Sequence, residues 1–210
     1  MKHFIYILTL SIFVACSTKA THKEDGTVKF CNSIITDSIL EKIPTISYSK
    51  FEINQNSNQN IELKYTSLTQ EQIDFFFTKE EQKNLSDYSE FKMYFFGKKN
   101  LGNDKLAIFL LCDTGYMGVF LYCAVINNGG KLTGKFNPAY LELDASYSII
   151  GKGEFLNDST YHFSEVNYEY IDSDHKMIKK DSLVKIIEIK TISLQTKQEL
   201  KFPTDTIIEN

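Results

Sequence analysis

The sequence predicts an α+β fold that is mainly β: an antiparallel meander of about seven or more strands with two short helices packed on it. Three observations support this class. The chain after Ser86 is rich in β-branched and aromatic residues. Turn-forming Asn, Gly, Pro and Asp residues divide it at short intervals, and short connections favour antiparallel neighbours. No helix-length segment separates the late strands, so a parallel βαβ sheet is disfavoured.

The two helices are predicted from a pair of start signals ahead of the strands. Thr69 opens the sequence TQEQ and Thr78 opens TKEE. Both have the form of a capping box, in which the Thr hydroxyl accepts from a backbone amide three residues on and the Gln or Glu side chain reaches back. These signals predict helices near residues 70–76 and 79–86. A further helical turn around 37–42 is expected to end before the next proline, because the residue before a proline disfavours the α conformation.

Seven segments after the helices have the composition of strands, and two earlier segments are further candidates. The seven are YSEFKMYFFG, KLAIFLLC, GVFLYCAVI, KLTGKF, ASYSIIGKGEF, STYHFSEVNYEYI and SLVKIIEIKTISL. The earlier candidates are TISYSKFEI and IELKY. The predicted separators are Asn127–Gly130, Asn137–Pro138, Asn157–Asp158 and a DSDHK turn.

Two of these segments, LAIFLLC and VFLYCAVI, are apolar on both faces and are therefore predicted to be central and covered on both sides. The cover is predicted to be the helices at 70–86, with Phe75, Phe76 and Phe77 facing the sheet. The alternative is a sheet that covers itself, as in a β-sandwich or an up-and-down barrel. The segment STYHFSEVNYEY mixes polar and apolar residues on both faces and is predicted to contain a bulge near Glu165.

The first residues of the chain have the pattern of a secretory signal. Lys2 and His3 precede an uncharged apolar run over residues 4–15, which is too short to cross a bilayer of about 30 Å. With Cys16 at the cleavage point, the segment resembles the signal of bacterial lipoproteins, in which Leu is usual where Phe13 stands. The resemblance implies cleavage before Cys16 and acylation of that residue, palmitate included. The alternative is an ordinary secretory signal with an incidental cysteine.

The predicted organisation is a signal peptide at 1–15, a lipid-anchored polar tether at 16–27 and one β-rich extracytoplasmic domain at 28–210. In the tether, Lys23–Asp25 resembles the lysine-plus-acidic signals that send some lipoproteins to the outer surface. Ser17 in place of Asp after the anchor resembles the pattern that is not retained at the inner membrane. These resemblances imply an outer-membrane location, where several acyl chains hold the protein firmly.

Composition removes several functional classes. All 23 basic residues are lysine and the formal net charge is −4. The chain therefore offers neither a guanidinium for bidentate recognition nor a basic cluster, and nucleic acid is not an expected partner. If Cys16 carries lipid, Cys31, Cys112 and Cys123 remain. A predicted hairpin brings Cys112 near Cys123, where either a disulfide or, preferably, two small buried hydrophobes are expected.

No catalytic, metal or cofactor site is predicted. His162 on a mixed strand and His175 in a turn are the histidines of the domain, and no nucleophile elbow accompanies them. The DSDH turn lacks the remainder of a calcium loop. Glu142 and Asp144 form a carboxylate pair on one strand, which cannot alone supply both sides of a glycosidase cleft. The chain is therefore predicted not to be an enzyme.

Aromatic residues are the remaining resource for binding. Tyr161, Tyr168 and Tyr170 either stack on a sugar or a partner protein, or pack within the sheet, and the second interpretation is preferred. The segments GKL and GEFLNDSTY resemble small envelope lipoproteins of meander type, which implies a fold without an activity. The hypothesis is a non-enzymatic envelope lipoprotein that binds a protein or glycan partner at the outer membrane. The alternative is a lipocalin-like carrier of a small apolar molecule, which requires an apolar cavity of ~300 Å³ or more.

Asp followed by Ser or Thr recurs along the chain, as in Asp158-Ser159 and Asp205-Thr206. The pattern resembles the O-glycosylation sequon of some envelope proteins, which implies a glycan on Ser159 or Thr206. Turn chemistry explains the same pattern without a modification, because Asp and Ser or Thr side chains bond to nearby backbone amides.

Overall fold

The computed structural model of the protein describes residues 33–54, 61–86, 91–115, 118–171, 176–189, 194–201 and 207–208. The helices are α1 (Asp37–Lys42), α2 (Ile61–Lys64), α3 (Gln70–Phe76) and α4 (Lys79–Ser86). The strands are β1 (Lys50–Glu52), β2 (Thr66–Ser67), β3 (Lys92–Asn100), β4 (Lys105–Asp113), β5 (Gly118–Asn127), β6 (Leu132–Leu143), β7 (Tyr147–Asn157), β8 (Thr160–Ile171), β9 (Lys176–Ile189), β10 (Leu194–Lys201) and β11 (Ile207–Ile208). The predicted signal peptide, the predicted tether and Cys31 lie outside these residues.

The strands form one antiparallel sheet whose order follows the chain from β2 to β10. Outside this order, β1 pairs with β7 and β11 pairs with β9, again antiparallel. The prediction of a mainly β, α+β meander is confirmed. A meander arises because each turn joins sequence neighbours, and hairpin pairing is the least costly way to satisfy their backbone hydrogen bonds.

Three local predictions are wrong. IELKY is not a strand, because Ile61–Lys64 is helical. The residues that pack on the core are Ile61 and Tyr65, which are four apart, as on one face of a helix. Leu63 lies between them and is 85% exposed. The Asn137–Pro138 turn does not exist, because β6 runs through it with a shift in register against β5. The bulge expected near Glu165 lies instead in the partner strand β9, where Lys180 is skipped between paired residues.

Strands β4 and β5 are covered on both faces, as predicted for two segments that are apolar throughout. One face belongs to what we call the inner core, which is built around five aromatic side chains: Phe51, Phe109, Phe136, Phe155 and Tyr161. The other face belongs to the helix-covered core, in which α1, α3 and α4 pack on β3–β5. The predicted cover is confirmed, since Phe76 and Phe77 are buried there and Phe75 is half-buried.

Residues 44–53, which we call the strap, join two distant strands of the sheet. At one end, Ile46 N donates to Lys98 O (2.7 Å) on β3. At the other, Phe155 N on β7 donates to Ser49 O (3.0 Å), and β1 pairs with β7. Gly97 permits this crossing, because a Cβ there would lie 2.4 Å from the Ile46 side chain.

The sheet is strongly curled, and the strap packs between its two halves. Although β4 and β9 are five places apart in the strand order, Lys105 Nζ donates to Ile189 O on β9 (3.4 Å). From the strap, the Phe51 ring stacks on Phe109 of β4 at 4.8 Å and meets Phe155 of β7 at 6.0 Å. The inner core is therefore filled with aromatic rings between the two halves of the sheet.

Both capping boxes are present. Gln72 N donates to Thr69 Oγ1 (3.4 Å) and Thr69 N to Gln72 Oε1 (2.9 Å) at the start of α3. The same reciprocal bonds join Thr78 and Glu81 at α4 (3.2 and 2.7 Å). These bonds satisfy amides that a helix start leaves without intrahelical partners, and they explain why two such short helices form where predicted.

Lys135 on β6 attaches the helices to the sheet. Its ammonium contacts Glu81 Oε1 (2.7 Å), donates to Phe76 O (2.8 Å) and lies 4.1 Å from the centre of the Phe77 ring. The Lys135 side chain is only 16% exposed. A half-buried ammonium is tolerated here because a carboxylate, a carbonyl and an aromatic face all compensate its charge.

Cys112 and Cys123 are buried and free, so the preferred interpretation as small hydrophobes is confirmed and the disulfide is wrong. In the register, Cys112 is opposite Phe120 and Cys123 is opposite Phe109. This odd offset of three places the two sulfurs on opposite faces of the sheet. Burial raises the pKa of Cys112 to about 12 and that of Cys123 well above its ordinary value, which keeps both thiols protonated.

Candidate binding site

A recess opens beside the strap, between β1 and β3. It has a volume of about 320 Å³ and is partly open to solvent. Its floor is formed by Leu111 of β4 and Leu121 of β5, which are paired directly. Its walls come from the strap, from the end of α2 and from β3. We call it the strap recess.

Phe96 reaches the strap recess because β3 is irregular at this point. Phe95 pairs with Leu110 and Gly97 pairs with Phe109, so Phe96 is an extra residue without a partner on β4. This arrangement is a β-bulge, which redirects a side chain and often lies beside a functional site. The Phe96 ring is half-buried and lines the recess.

Tyr65, directly after α2, forms the wall next to Phe96. Their ring centroids are 5.2 Å apart with an interplanar angle of 40°. One helical turn earlier, the buried side chain of Ile61 anchors α2 in the inner core. Burial raises the pKa of Tyr65, so its hydroxyl remains protonated and able to donate a hydrogen bond.

The strap contributes Tyr48, which is 48% exposed and lies 5.3 Å from the ring of Phe51. Burial raises the pKa of Tyr48, and the nearby Tyr65 hydroxyl raises it further. The recess combines flat apolar ring faces with two hydroxyls, a combination that suits ligands with one apolar and one polar side.

Charged side chains surround the opening. Lys50 pairs with Glu154 (3.6 Å) and Glu52 pairs with Lys152 (3.9 Å), both across the β1–β7 ladder. Lys64 at the end of α2 is exposed and forms no ion pair with any residue in the described ranges. These groups offer hydrogen bonds to a ligand without closing the recess.

The histidines and carboxylates considered from the sequence form no catalytic arrangement among the described residues. His162 is half-buried on β8, in register with Glu154 and Ile186. His175 lies outside the described residues. Glu142 accepts a hydrogen bond from the Tyr147 hydroxyl (3.1 Å). In the parts of the chain that the structure describes, no three His, Cys, Asp or Glu side chains are grouped to hold a metal ion.

The Asp144 side chain stabilises the turn between β6 and β7. It accepts from the backbone amide of Ser146 (3.2 Å) in the β6–β7 turn. Glu142 and Asp144 therefore each take part in a separate local hydrogen bond.

The three tyrosines proposed for stacking have different positions. Tyr161 is fully buried and its hydroxyl donates to Pro138 O (2.9 Å), which confirms its interpretation as sheet core. Tyr168 is half-buried and lines a second groove, separate from the strap recess. The side chain of Tyr170 lies outside the described residues.

Of the two candidate glycosylation residues and the candidate lipidation residue, only Ser159 lies within the described residues. Ser159 is exposed in the β7–β8 turn, where its amide and hydroxyl both donate to Asn157 Oδ1 (2.9 and 2.8 Å). The predicted turn at Asn157–Asp158 is present, and the side chain that accepts from the backbone amide there is that of Asn157. Thr206 and Cys16 lie outside the described residues.

The sequence interpretation did not identify Tyr48, Tyr65 or Phe96. A signal existed for Phe96, since Gly97 follows three consecutive aromatic residues inside a strand, and glycine within a strand often marks a bulge. No comparable signal marks the two tyrosines, because Tyr48 and Tyr65 lie on separate elements and no local pattern indicates that both line one recess.

Comparison with known proteins adds no relative: no family model, no curated protein and no solved structure matches this chain. Within the described residues, the helices are all too short and too polar to cross a membrane.

Proposed function

We propose that this chain is a lipid-anchored, non-enzymatic binding protein of the bacterial outer membrane, and that the strap recess binds the end of a glycan. The observation that supports this ligand most directly is the bulge that turns Phe96 toward Tyr65 in a solvent-open recess. A sugar ring has apolar C–H faces and a hydroxylated edge. Aromatic rings pack on the faces, while tyrosine hydroxyls and rim lysines bond to the edge.

A small apolar ligand is the second candidate for the same recess. Its support is the leucine floor, together with a volume that reaches the ~300 Å³ typical of small-molecule sites. The charged rim formed by Lys50, Glu52 and Lys64 favours the glycan, because an apolar ligand leaves these groups without new partners.

The test uses the full chain in a detergent without a sugar headgroup, so that the detergent cannot compete. Saturation-transfer NMR with N-acetylglucosamine, galactose and mannose measures sugar binding, and fluorescence of N-phenyl-1-naphthylamine measures apolar binding. Tyr65→Ala is expected to weaken sugar binding roughly tenfold, equivalent to about 1.4 kcal/mol. Leu63→Ala is the control, since Leu63 is 85% exposed on the same helix and does not line the recess.

Binding of the fluorescent probe alone, lost in Tyr65→Ala, would favour the carrier instead. Sugar binding that survives Tyr65→Ala and Phe96→Ala unchanged would reject the strap recess as its site.

The anchor is tested separately, through Cys16. Cys16→Ser is expected to release the protein from membranes or to leave the precursor uncut, because the acyl chains are lost. Membrane fractionation followed by mass spectrometry of the N-terminal peptide measures this. Unmodified Cys16 in membrane-extracted wild-type protein would contradict the proposal.

A separate measurement, the intact mass of the native protein, addresses glycosylation, which we propose for Ser159 or Thr206. The exposed position of Ser159 supports access. An intact native mass equal to that of the lipidated polypeptide alone would reject glycosylation. Ser159 would then have only its hydrogen bonds in the turn.

A further inference from the structure

A row of three hydrogen-bond acceptors runs along one face of β8. Glu165, Asn167 and Glu169 alternate along the strand, so their side chains project to the same side at intervals of about 7 Å. On β7, their direct partners are Gly151, Ile149 and Tyr147. We call the three side chains the acceptor row.

Glu165 and Glu169 are satisfied from within the chain, whereas Asn167 is not. The Tyr140 hydroxyl donates to Glu165, and Lys180 pairs with Glu169. Asn167 Oδ1 is buried and has no hydrogen-bond partner, and among the described residues it is the single buried side-chain atom in that condition. Leaving a buried acceptor unpaired costs free energy, so such an atom calls for an explanation.

The unpaired amide lies in the wall of a groove of about 480 Å³, which we call the outer groove. Tyr147, Ile149 and Tyr168 supply apolar surface to it, and Glu169 with Lys180 supply polar groups. Lys180 is the skipped residue of β9, so a bulge again brings a side chain into a depression of the surface. The outer groove and the strap recess share no lining residue.

The chemistry of this face selects against anions. Glu142 lies opposite Ile149 on β6, so it joins the acceptor row on the same face. With Glu165 and Glu169 it gives three carboxylates, and the cation that lines the groove, Lys180, is already paired with Glu169. A ligand here must donate hydrogen bonds and bring no further negative charge.

We propose that the outer groove is a second binding site, independent of the strap recess, and that it binds a neutral sugar through a hydroxyl donated to Asn167 Oδ1. A turn of the carboxamide about its broad terminal torsion brings the oxygen toward the groove. The ring of Tyr147, which lies opposite Glu169 on β7, offers the sugar apolar contact.

The first test needs no ligand. Asn167→Leu replaces an unpaired amide with an apolar side chain of similar size, so the urea midpoint of the full chain is expected to stay equal or to rise. Thr133→Val is the matched control, because Thr133 Oγ1 is buried and donates to Val125 O (3.0 Å), so its loss should lower the midpoint. A midpoint for Asn167→Leu that falls as far as that of Thr133→Val would overturn the proposal, since the amide would then be satisfied inside the fold.

The second test measures binding of the full chain, again in a detergent without sugar. Because the strap recess is proposed to bind the same sugars, Tyr65→Ala is compared with the double variant Tyr65→Ala/Asn167→Leu. The saturation transfer to galactose, mannose or N-acetylglucosamine that remains in Tyr65→Ala is expected to fall at least tenfold in the double variant, with glucuronate binding more weakly than the neutral sugars. If none of the three sugars binds, or if binding is lost in Tyr65→Ala and kept in Asn167→Leu, the outer groove is not a sugar site. The second of these results would leave the strap recess supported.

Discussion

The sheet has two regions that differ in what covers them. In β3–β5 both faces are buried, one in the inner core and the other beneath the helices. On β8, Tyr161 contributes to the inner core, and further along the same face the acceptor row is only half-buried. A strand that is apolar at every position therefore requires cover on both sides, whereas a strand whose face changes from apolar to polar along its length leaves part of that face for binding.

The largest expected effect lies in the doubly covered region. Phe109→Ala removes a fully buried ring that stacks on Phe51, and truncation of a packed aromatic costs about 3 to 5 kcal/mol. Urea unfolding of the full chain measures the loss. Leu156→Ala on β7 is the control, since Leu156 is 55% exposed. A loss below about 1 kcal/mol for Phe109→Ala would show that one face of β4 is open to water.

The second effect concerns the link between the helices and the sheet. Lys135→Met keeps the length of the side chain but removes its contacts with Glu81, Phe76 O and the Phe77 ring. The expected loss of stability is about 1 to 2 kcal/mol, because Glu81 can regain water while the buried carbonyl loses its donor. Unchanged stability would mean that apolar packing alone holds the helices.

The same link predicts a pH dependence. Burial raises the pKa of Glu81, but bonds from Lys135 and Thr78 outweigh it and leave the pKa below its ordinary value. A carboxyl with a lowered pKa in the folded state stabilises the fold above its unfolded pKa of about 4.3, and this stabilisation is lost as the pH falls. Urea midpoints at pH 7 and pH 3 should therefore differ less in Lys135→Met than in the wild type. An equal difference in the two proteins would contradict the link.

A smaller effect is expected at the start of α3. Thr69→Ala removes one half of a capping box, for which the usual cost is about 1 kcal/mol. Thr69→Ser retains the hydroxyl and is expected to retain most of the stability, so the pair separates the cap from the rest of the side chain. Equal losses in both variants would assign the effect to the methyl group.

The smallest effect is expected in the singly covered region. His162→Gln on β8 changes a half-buried side chain outside the inner core, so stability should remain within about 0.5 kcal/mol of the wild type. Urea unfolding at pH 7 measures it. A loss of several kcal/mol would place His162 in a core contact and would remove the contrast between the two regions.

Much of the fold could be predicted from local signals. The helices α3 and α4 begin where Thr69 and Thr78 begin capping boxes, because a cap depends on residues three apart. The strap recess could not be predicted in this way. It requires Tyr48 from the strap, Tyr65 after α2 and the bulge at Phe96 to meet, and no short stretch of sequence contains all three.

By itself, the sequence determined the mainly β meander, the position of two helices and the covered pair of central strands. These depend on periodicity, caps and turns, all of which act between near neighbours. Tertiary pairing was needed to show that Cys112 and Cys123 lie on opposite faces, that the strap joins β3 to β7, and that the buried Asn167 Oδ1 has no hydrogen-bond partner. Each of these depends on strand register and on the curl of the sheet, because a shift of one residue exchanges the two faces of a strand.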